Sequence, residues 1–191
     1  MLAREAARHA GDLRELAATG FGGTVVVEKP LVVRPTELDG LGDAPFRACI
    51  VGYQLRLHPA VRAVRGAMAG DRVTAVHALV GQHLAAWRPG RELASTASGS
   101  VAAGGGALRE LSHELDLVTW LAGAWRRVCA LGGRRGALDL DVDDRWGLLI
   151  ELDGGAVATV HLDVLDRVGQ RRLTLVGAGV TAAADLLSGA V

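Results

Sequence analysis

Aromatic side chains are scarce in this sequence, and charge of neither sign is in excess. Aromatic residues make up 4% of the 191 positions while hydrophobic residues make up 50%, so the core must consist largely of Val, Leu and Ala. The 21 basic side chains balance the 21 acidic ones, which predicts no nucleic acid partner. No apolar run reaches the roughly 18 residues that span a bilayer, and the charged N-terminus lacks the apolar core of a signal peptide. We therefore expect no membrane partner.

Cysteine is nearly absent as well. Cys49 and Cys129 lie far apart in apolar surroundings and form no CxxC or Cys/His spacing. The pattern predicts two buried free thiols and a reducing, cytoplasmic location.

Lysine is the scarcest charged residue. Lys29 is the one lysine among twenty arginines, and asparagine does not occur. Arginine stays protonated, whereas a desolvated lysine can exchange a proton near neutrality. The presence of lysine at this position therefore suggests acid–base chemistry.

Apolar periodicity predicts three helices and seven strands. Asp153-Gly154-Gly155 predicts a hairpin turn, residues 35–41 allow only a short helix, and residues 83–104 are irregular. The helices are expected at 3–18, 59–69 and 106–122, and the strands at 24–27, 46–53, 73–80, 125–131, 144–152, 155–164 and 170–177.

The order of these elements predicts an α+β fold. The continuous apolar run at 24–27 predicts a strand that is buried on both faces of a parallel sheet. A helix followed by such a strand is typical of the end of a βαβ unit, yet too few residues precede Glu28 for a dinucleotide-binding domain. We expect residues 1–30 to be the C-terminal remnant of a Rossmann domain. Residues 31–191 are expected to form a substrate domain with an open, mostly antiparallel sheet and helices on one face. The chain would then be a fragment or a degenerate pseudoenzyme.

Two polar segments follow predicted strands. Glu28-Lys29-Pro30 stands where open α/β sheets bind ligands, although a surface turn would have the same composition. The segment 53–59 places Arg56 and His58 at a strand-to-helix junction. That junction could receive a hydroxylated or anionic ligand, or it could be an ordinary polar turn.

A third segment, 104–116, begins with three glycines that would let the backbone approach a ligand closely. Glu110 and His113, and more loosely Asp116 and Glu114, fall at three- and four-residue spacings on the predicted helix, so His113 can share a face with an acid. A carboxylate beside an imidazole fixes its tautomer and raises its basicity, as a proton-abstracting histidine requires. The alternative is an amphipathic helix with one polar histidine. No second His/Cys cluster accompanies the segment, so we expect no metal site.

In their order and spacing these motifs resemble the Gfo/Idh/MocA (glucose–fructose oxidoreductase/inositol dehydrogenase) family. The resemblance rests on the strand with Glu28-Lys29-Pro30, the segment 53–59, GGGALRELSHELDLVTWL at 104–121, and the late strand 171–177. It implies a Rossmann domain that binds NAD or NADP, followed by an open-sheet domain through which the chains form homo-oligomers. The implied activity is hydride transfer between the nicotinamide and a hydroxyl or carbonyl group of a sugar or polyol.

The resemblance also implies roles for individual residues. Lys29, His113 and Glu110 would be catalytic, although the family usually has aspartate at the position of Glu110 and one more residue before the histidine. The cofactor would contact Glu28, Lys29 and Pro30, and the substrate would contact Arg56, His58, Trp87, Arg88 and Asp116. Since the G-x-G-x-x-G fingerprint is missing, we expect weak or no cofactor binding by this chain alone. A non-catalytic sugar-binding or oligomerisation module is the alternative function.

Overall fold

Two sheets organise the chain in a computed structural model that describes residues 1–87, 89–136 and 138–191. The helices are α1 (Ala6–Ala18), α2 (Pro59–Ala67), α3 (Leu84–Trp87), α4 (Ala107–Glu110) and α5 (His113–Ala122). The strands are β1 (Thr24–Val27), β2 (Ala48–Val51), β3 (Val73–Gly81), β4 (Trp125–Gly133), β5 (Arg145–Leu152), β6 (Val157–Asp163), β7 (Gln170–Gly177) and β8 (Thr181–Asp185).

The N-terminal sheet consists of β1 and β2, which pair in parallel. Leu13 of α1 packs on Val25 and Val27, both of which are buried. Leu2 forms a bridge to Val27 on the edge of β1 away from β2. Val26 is half-buried, so the expectation that this strand is buried on both faces is wrong. The cover of α1 on one face only explains the difference.

The larger sheet has the order β4-β5-β6-β3-β7-β8, and β3 with β6 is its parallel pair. The α+β class with a mostly antiparallel sheet is confirmed. One face of this sheet carries the helices, because alternate strand residues are apolar and point to that face. Its core includes Val61 and Val64 of α2, Leu117 and Val118 of α5, and Val76, Leu152, Leu162, Leu173 and Leu175 of the strands.

The opposite face of the larger sheet is open. Cys129, Leu149, Thr159, His77 and Thr174 follow one another across five strands at matching register positions. They line a shallow depression of about 890 Å³. Leu131 on β4 is 81% exposed and Leu149 is 51% exposed, so this open face is an apolar surface.

The predicted burial of the two thiols is wrong, since Cys49 and Cys129 are both exposed. Cys49 lies on β2, which has a neighbouring strand on one side within the described chain, and Cys129 lies on the open face. Partial burial raises the pKa of the Cys49 thiol.

The segment 106–122 is not the single helix that its periodicity predicts. It divides into α4 and α5, and Leu111 and Ser112 separate them. The irregular segment 83–104 contains α3 and two short 3-10 turns, and β8 was not predicted. The hairpin turn at Asp153–Gly155 is confirmed, because it joins the antiparallel strands β5 and β6. Within the described ranges, no helix is both long and apolar enough to cross a membrane.

Candidate functional site

A cavity of about 290 Å³ lies where the end of β1 meets the junction of α4 and α5. All three residues predicted to be catalytic, Lys29, Glu110 and His113, line it, and so does Trp87. The remaining lining residues are Val80, Gln82, Leu111, Gln170, Arg171 and Leu187. This cavity is called the central pocket below.

Lys29 connects β1 to α4. Its Nζ donates to the carbonyl oxygen of Glu110 at 2.6 Å, and it lies 3.4 Å both from the carbonyl oxygen of Arg109 and from Oε2 of Glu110. Its side chain is 14% exposed. Three oxygen acceptors match the three N–H groups of an ammonium ion, so the lysine is held in place in the lining of the pocket.

His113 begins α5 and is 5% exposed. The edge of its ring meets the ring of Tyr53 with 5.6 Å between centroids. Among the described residues, Nδ1 has no hydrogen-bond partner. Burial, followed by the positive charges of Arg171 and Lys29, lowers the pKa of His113 from 6.5 to about 4. The imidazole is therefore neutral at physiological pH, and it is a weaker base than a solvated histidine.

The expected contact between Glu110 and His113 does not form in the structure. The Glu110 carboxylate lies against Lys29 instead. The break between α4 and α5 removes the regular helical spacing on which the expectation rested, and the lysine cation offers the carboxylate a charged partner.

A buried ion pair, Arg171 with Glu114, was not predicted. Nε of Arg171 donates to Oε1 at 2.7 Å and Nη2 donates to Oε2 at 2.9 Å. Glu114 is 2% exposed. Arg171 shares its strand face with Leu173 and Leu175, which are buried. An arginine that alternates with core leucines needs a buried partner, and this is the signal from which the pair could have been inferred.

The glycine run contacts protein rather than leaving room for a ligand. A Cβ on Gly105 would lie 2.4 Å from the carbonyl oxygens of Ala97 and Ser98, and one on Gly106 would lie 2.1 Å from Oδ1 of Asp143. The expectation that these glycines admit a ligand to the backbone is therefore wrong. The close approach serves the packing of the chain against itself.

Asp143 holds the start of α4 in place. Its carbonyl oxygen accepts from the amide of Ala107, and its Oδ2 accepts from the amide of Leu108 and from Nε1 of Trp146 at 2.7–2.8 Å. These hydrogen bonds join the start of α4 to the start of β5.

The other predicted substrate residues lie outside the central pocket. Nε of Arg56 donates to Oδ2 of Asp116 at 2.8 Å, and both residues line a neighbouring cleft with Glu28 and Tyr53. His58 caps α2, because its Nδ1 accepts from the amide of Ala60.

Pro30 and Arg88 are the two remaining predicted positions. The Pro30 carbonyl oxygen lies 3.1 Å from Nδ1 of His9. Arg88 lies outside the described residues. In the part of the chain that the structure describes, no group of His, Cys, Asp or Glu side chains could hold a metal ion.

The sequence and the fold of this chain resemble those of known proteins. A sequence model described as the GFO/IDH/MocA C-terminal domain matches residues 61–182, which is more than half of the chain. GenD2 from gentamicin A biosynthesis, solved in complex with NAD, is 26% identical with a TM-score of 0.78, over 96% of this chain and 53% of GenD2. A search of curated proteins gave no match.

Two further solved structures share the fold. Levoglucosan dehydrogenase, in complex with NADH and levoglucosan, is 21% identical with a TM-score of 0.82, over 98% of this chain and 54% of that enzyme. The WlbA dehydrogenase from Bordetella pertussis, in complex with NADH and UDP-GlcNAcA, is 23% identical with a TM-score of 0.80, over 96% and 54%. The chain thus spans about half the length of these proteins.

Proposed function

Because this chain belongs to the Gfo/Idh/MocA family through its C-terminal domain, we propose that it supplies the substrate site of a nicotinamide-dependent oxidoreductase that acts on a neutral sugar or polyol. The observation that carries the proposal is the central pocket, where a buried, neutral His113 and the ammonium group of Lys29 line one small cavity. A neutral imidazole can take the proton from a hydroxyl group of the substrate while hydride leaves the carbon atom that bears this hydroxyl group.

The charges of the pocket favour a neutral substrate. Lys29 lies against Glu110, and Arg171 makes two hydrogen bonds to Glu114, so each cation already has a carboxylate. A carboxylate or phosphate ligand would have to compete with these pairs. Gln82 and Gln170 add amide groups to the lining, and Trp87 adds an aromatic surface. Amides and an aromatic ring suit the hydroxyl groups and the C–H face of a sugar.

His113 and Lys29 have different proposed roles toward the substrate. In this proposal His113 accepts the hydroxyl proton at its ring nitrogen, and the Lys29 ammonium group orients the same oxygen and stabilises negative charge that develops on it. Glu110 holds Lys29 in position through its backbone carbonyl and its carboxylate.

In this proposal the nicotinamide would lie beside the central pocket, at the carboxyl ends of β1 and β2. The neighbouring cleft there has a volume of about 890 Å³ and is lined by Glu28, Gly52 and Tyr53. A bound nicotinamide would supply the hydride acceptor or donor. Glu28, Lys29 and Pro30 would hold its ring end, whereas the pyrophosphate would be held by a nucleotide-binding domain outside residues 1–191. We propose that residues 1–30 are the last part of that domain and residues 31–191 the substrate domain.

Two further properties belong to the same proposal. The open face of the larger sheet, with Leu131 and Leu149 exposed, is proposed as the surface through which copies of the chain associate, because apolar patches of this kind mark protein interfaces. The exposed free thiols of Cys49 and Cys129 support a reducing, cytoplasmic location.

Ligand binding to the 191-residue chain tests the proposal. Saturation-transfer NMR with D-glucose, myo-inositol and levoglucosan should show binding of at least one neutral compound, and D-gluconate should bind more weakly. Trp87→Ala should abolish the effect, while Trp125→Ala, which removes a tryptophan 62% exposed on β4, should not. Binding of gluconate alone, or of none of the compounds, would contradict the proposal.

A second measurement separates the enzyme from the non-catalytic module. Calorimetry with NADH and NADPH should give no binding in the micromolar range, where the binding free energy is about −8 kcal/mol. In the protein that includes the nucleotide-binding domain, His113→Gln should lose turnover while it still binds the sugar. Unchanged turnover in that variant would favour a module in which His113 has no chemical role.

A further inference from the structure

His9 lies on α1 inside the protein, and its ring contacts two backbone carbonyl groups. The residue is 0% exposed. Its Nδ1 lies 3.1 Å from the carbonyl oxygen of Pro30, and its Nε2 lies 3.0 Å from the carbonyl oxygen of Arg4. A carbonyl oxygen accepts hydrogen bonds and cannot donate one. A neutral imidazole has one N–H group and can satisfy one of these carbonyls, whereas the imidazolium ion can donate to both.

One of the two carbonyl groups belongs to the turn that carries Lys29. Pro30 directly follows this lysine in the chain. On the other side of Lys29, the amide of Glu28 donates to the carbonyl oxygen of Leu2 at 2.9 Å. The backbone on both sides of Lys29 is therefore bonded to the N-terminal part of the chain, and His9 supplies the side chain that makes one of these contacts.

We infer that His9 is a positioning residue, which donates from both ring nitrogens as an imidazolium ion and holds the Lys29–Pro30 turn against α1. The inference rests on the proposed function, in which the Lys29 ammonium group orients the substrate oxygen. His9 is not among the residues that line the central pocket. It acts through Lys29, because the position of the turn determines whether the ammonium group reaches the pocket.

A carboxylate on the same helix offsets the charge that this role requires. A buried cation needs hydrogen-bond acceptors or a counter-charge. Asp12 stands three positions after His9 on α1, a spacing at which the side chains of a helix are neighbours. Its Oδ1 accepts from Arg4 at 2.8 Å, while its buried Oδ2 has no hydrogen-bond partner among the described residues. The ammonium group of Lys29 is itself paired with Glu110.

A role in packing alone would also explain why His9 is buried. It belongs to the buried side of α1 together with Ala6, Ala10 and Leu13. Packing requires the volume of the ring and neither of its N–H groups. The two roles can be separated by experiment, because phenylalanine keeps an aromatic ring at this position and removes both donors.

Long-range proton–nitrogen correlation NMR of the 191-residue chain tests the protonation of His9. The His9 signals are identified by their loss in His9→Gln. At about pH 7.5, where an unperturbed histidine is mostly neutral, both ring nitrogens of His9 should show the chemical shift of a protonated nitrogen. A His9 ring with one bare nitrogen would overturn the inference.

The side chain of Lys29 gives a second readout, because it is the one lysine of the chain and its side-chain ammonium signal is unambiguous. In wild type the ammonium protons should exchange slowly with water, since three oxygen acceptors surround Nζ. His9→Phe should speed this exchange by about tenfold or more, because the turn loses the hydrogen bond that holds it. His9→Gln retains N–H donors on its side chain and should give an intermediate rate.

His77→Phe is the matched control. It makes the same change at an exposed histidine on the open face of the larger sheet, and it should leave the Lys29 exchange rate unchanged. Equal exchange rates in wild type and His9→Phe would show that ring volume suffices, and they would overturn the inference. If His9→Phe does not fold, the nitrogen spectrum of wild type still decides the question.

These measurements need no sugar, so their outcome is independent of the test of the proposed function. A bare ring nitrogen in His9 would remove its positioning role and leave the sugar-binding result as it stands. Failure of every compound to bind in the saturation-transfer experiment would contradict the proposed function, and the two protonated nitrogens of His9 would still be measurable.

Discussion

Lys29 is surrounded by oxygen atoms on one side of the central pocket, and this limits what can replace it. Two backbone carbonyls and one carboxylate oxygen lie within 3.4 Å of Nζ. A guanidinium group is planar and wider, so it cannot direct three N–H groups from one atom toward these acceptors.

We therefore expect Lys29→Arg to lower kcat/KM by roughly 10²–10³-fold in the proposed oxidoreductase, nearly as far as Lys29→Met. Steady-state kinetics with the sugar that binds in NMR would measure it. The control is Arg47→Lys, at an exposed position on the N-terminal side of β2. It should leave kcat/KM unchanged. Retention of more than about a third of the activity in Lys29→Arg would show that positive charge alone suffices.

The depressed pKa of His113 makes stability depend on pH. The folded chain binds this proton near pH 4 and the unfolded chain near 6.5. The contribution of neutral His113 is therefore fully present above pH 6.5 and is lost as the pH falls toward 4.

Urea unfolding should show that wild type loses about 2 kcal/mol more stability than His113→Gln between about pH 7 and pH 5. His77→Gln, which removes an exposed histidine on the open face, should follow wild type. Parallel pH dependence in wild type and His113→Gln would contradict the low pKa.

The sequence was most informative where a residue is unusual for its surroundings. Lys29 is conspicuous as the one lysine, and it lines the central pocket together with Glu110 and His113. Its catalytic role remains a prediction. The partnership of Arg56 with Asp116 could not be foreseen, because it joins residues 60 positions apart whose distance depends on the fold. Both residues had been assigned to substrate binding, and that role remains a prediction.

At the scale of elements, the glycine turn before α4 determines where Glu110 and His113 stand. Gly105 faces the carbonyl oxygens of Ala97 and Ser98, and the backbone cannot move away without displacing that turn. Gly105→Ala should therefore lower the free energy of unfolding by roughly 1–3 kcal/mol. Gly147→Ala on the open face, where a Cβ would be 3.9 Å from the nearest atom, should change it little. Equal stability of the two variants by urea unfolding would show that the turn relaxes freely.

Element boundaries were predictable where apolar residues alternate cleanly, as in β7, whose observed range is the predicted one. The break between α4 and α5 was not predictable from periodicity. Leu111 is buried like a residue of a continuous helix, while its backbone leaves the helical conformation. The strand β8 was missed because its alanines lack the β-branched side chains that identify strands.

For the molecule as a whole, the open face predicts self-association. Leu131 and Leu149 expose apolar surface across β4 and β5, and burial of such surface favours association. Analytical ultracentrifugation should show oligomers of wild type that dissociate in Leu131→Asp/Leu149→Asp. Val168→Asp, which changes a residue 72% exposed in the turn before β7, should leave association intact. A wild-type chain that remains monomeric at high concentration would contradict the prediction.

The hydrogen bonds of Asp143 have a consequence for local opening. The amides of Ala107 and Leu108 would ordinarily be free donors at the start of a helix, but here they bond to a residue that also holds Trp146 of β5. These two amides can exchange with deuterium only when that junction opens. Their exchange should therefore report the same opening free energy as the amides of β5. In this way the amides of a four-residue helix, which could not persist alone, become as protected from exchange as those of the sheet. The same hydrogen bonds keep Glu110 beside Lys29.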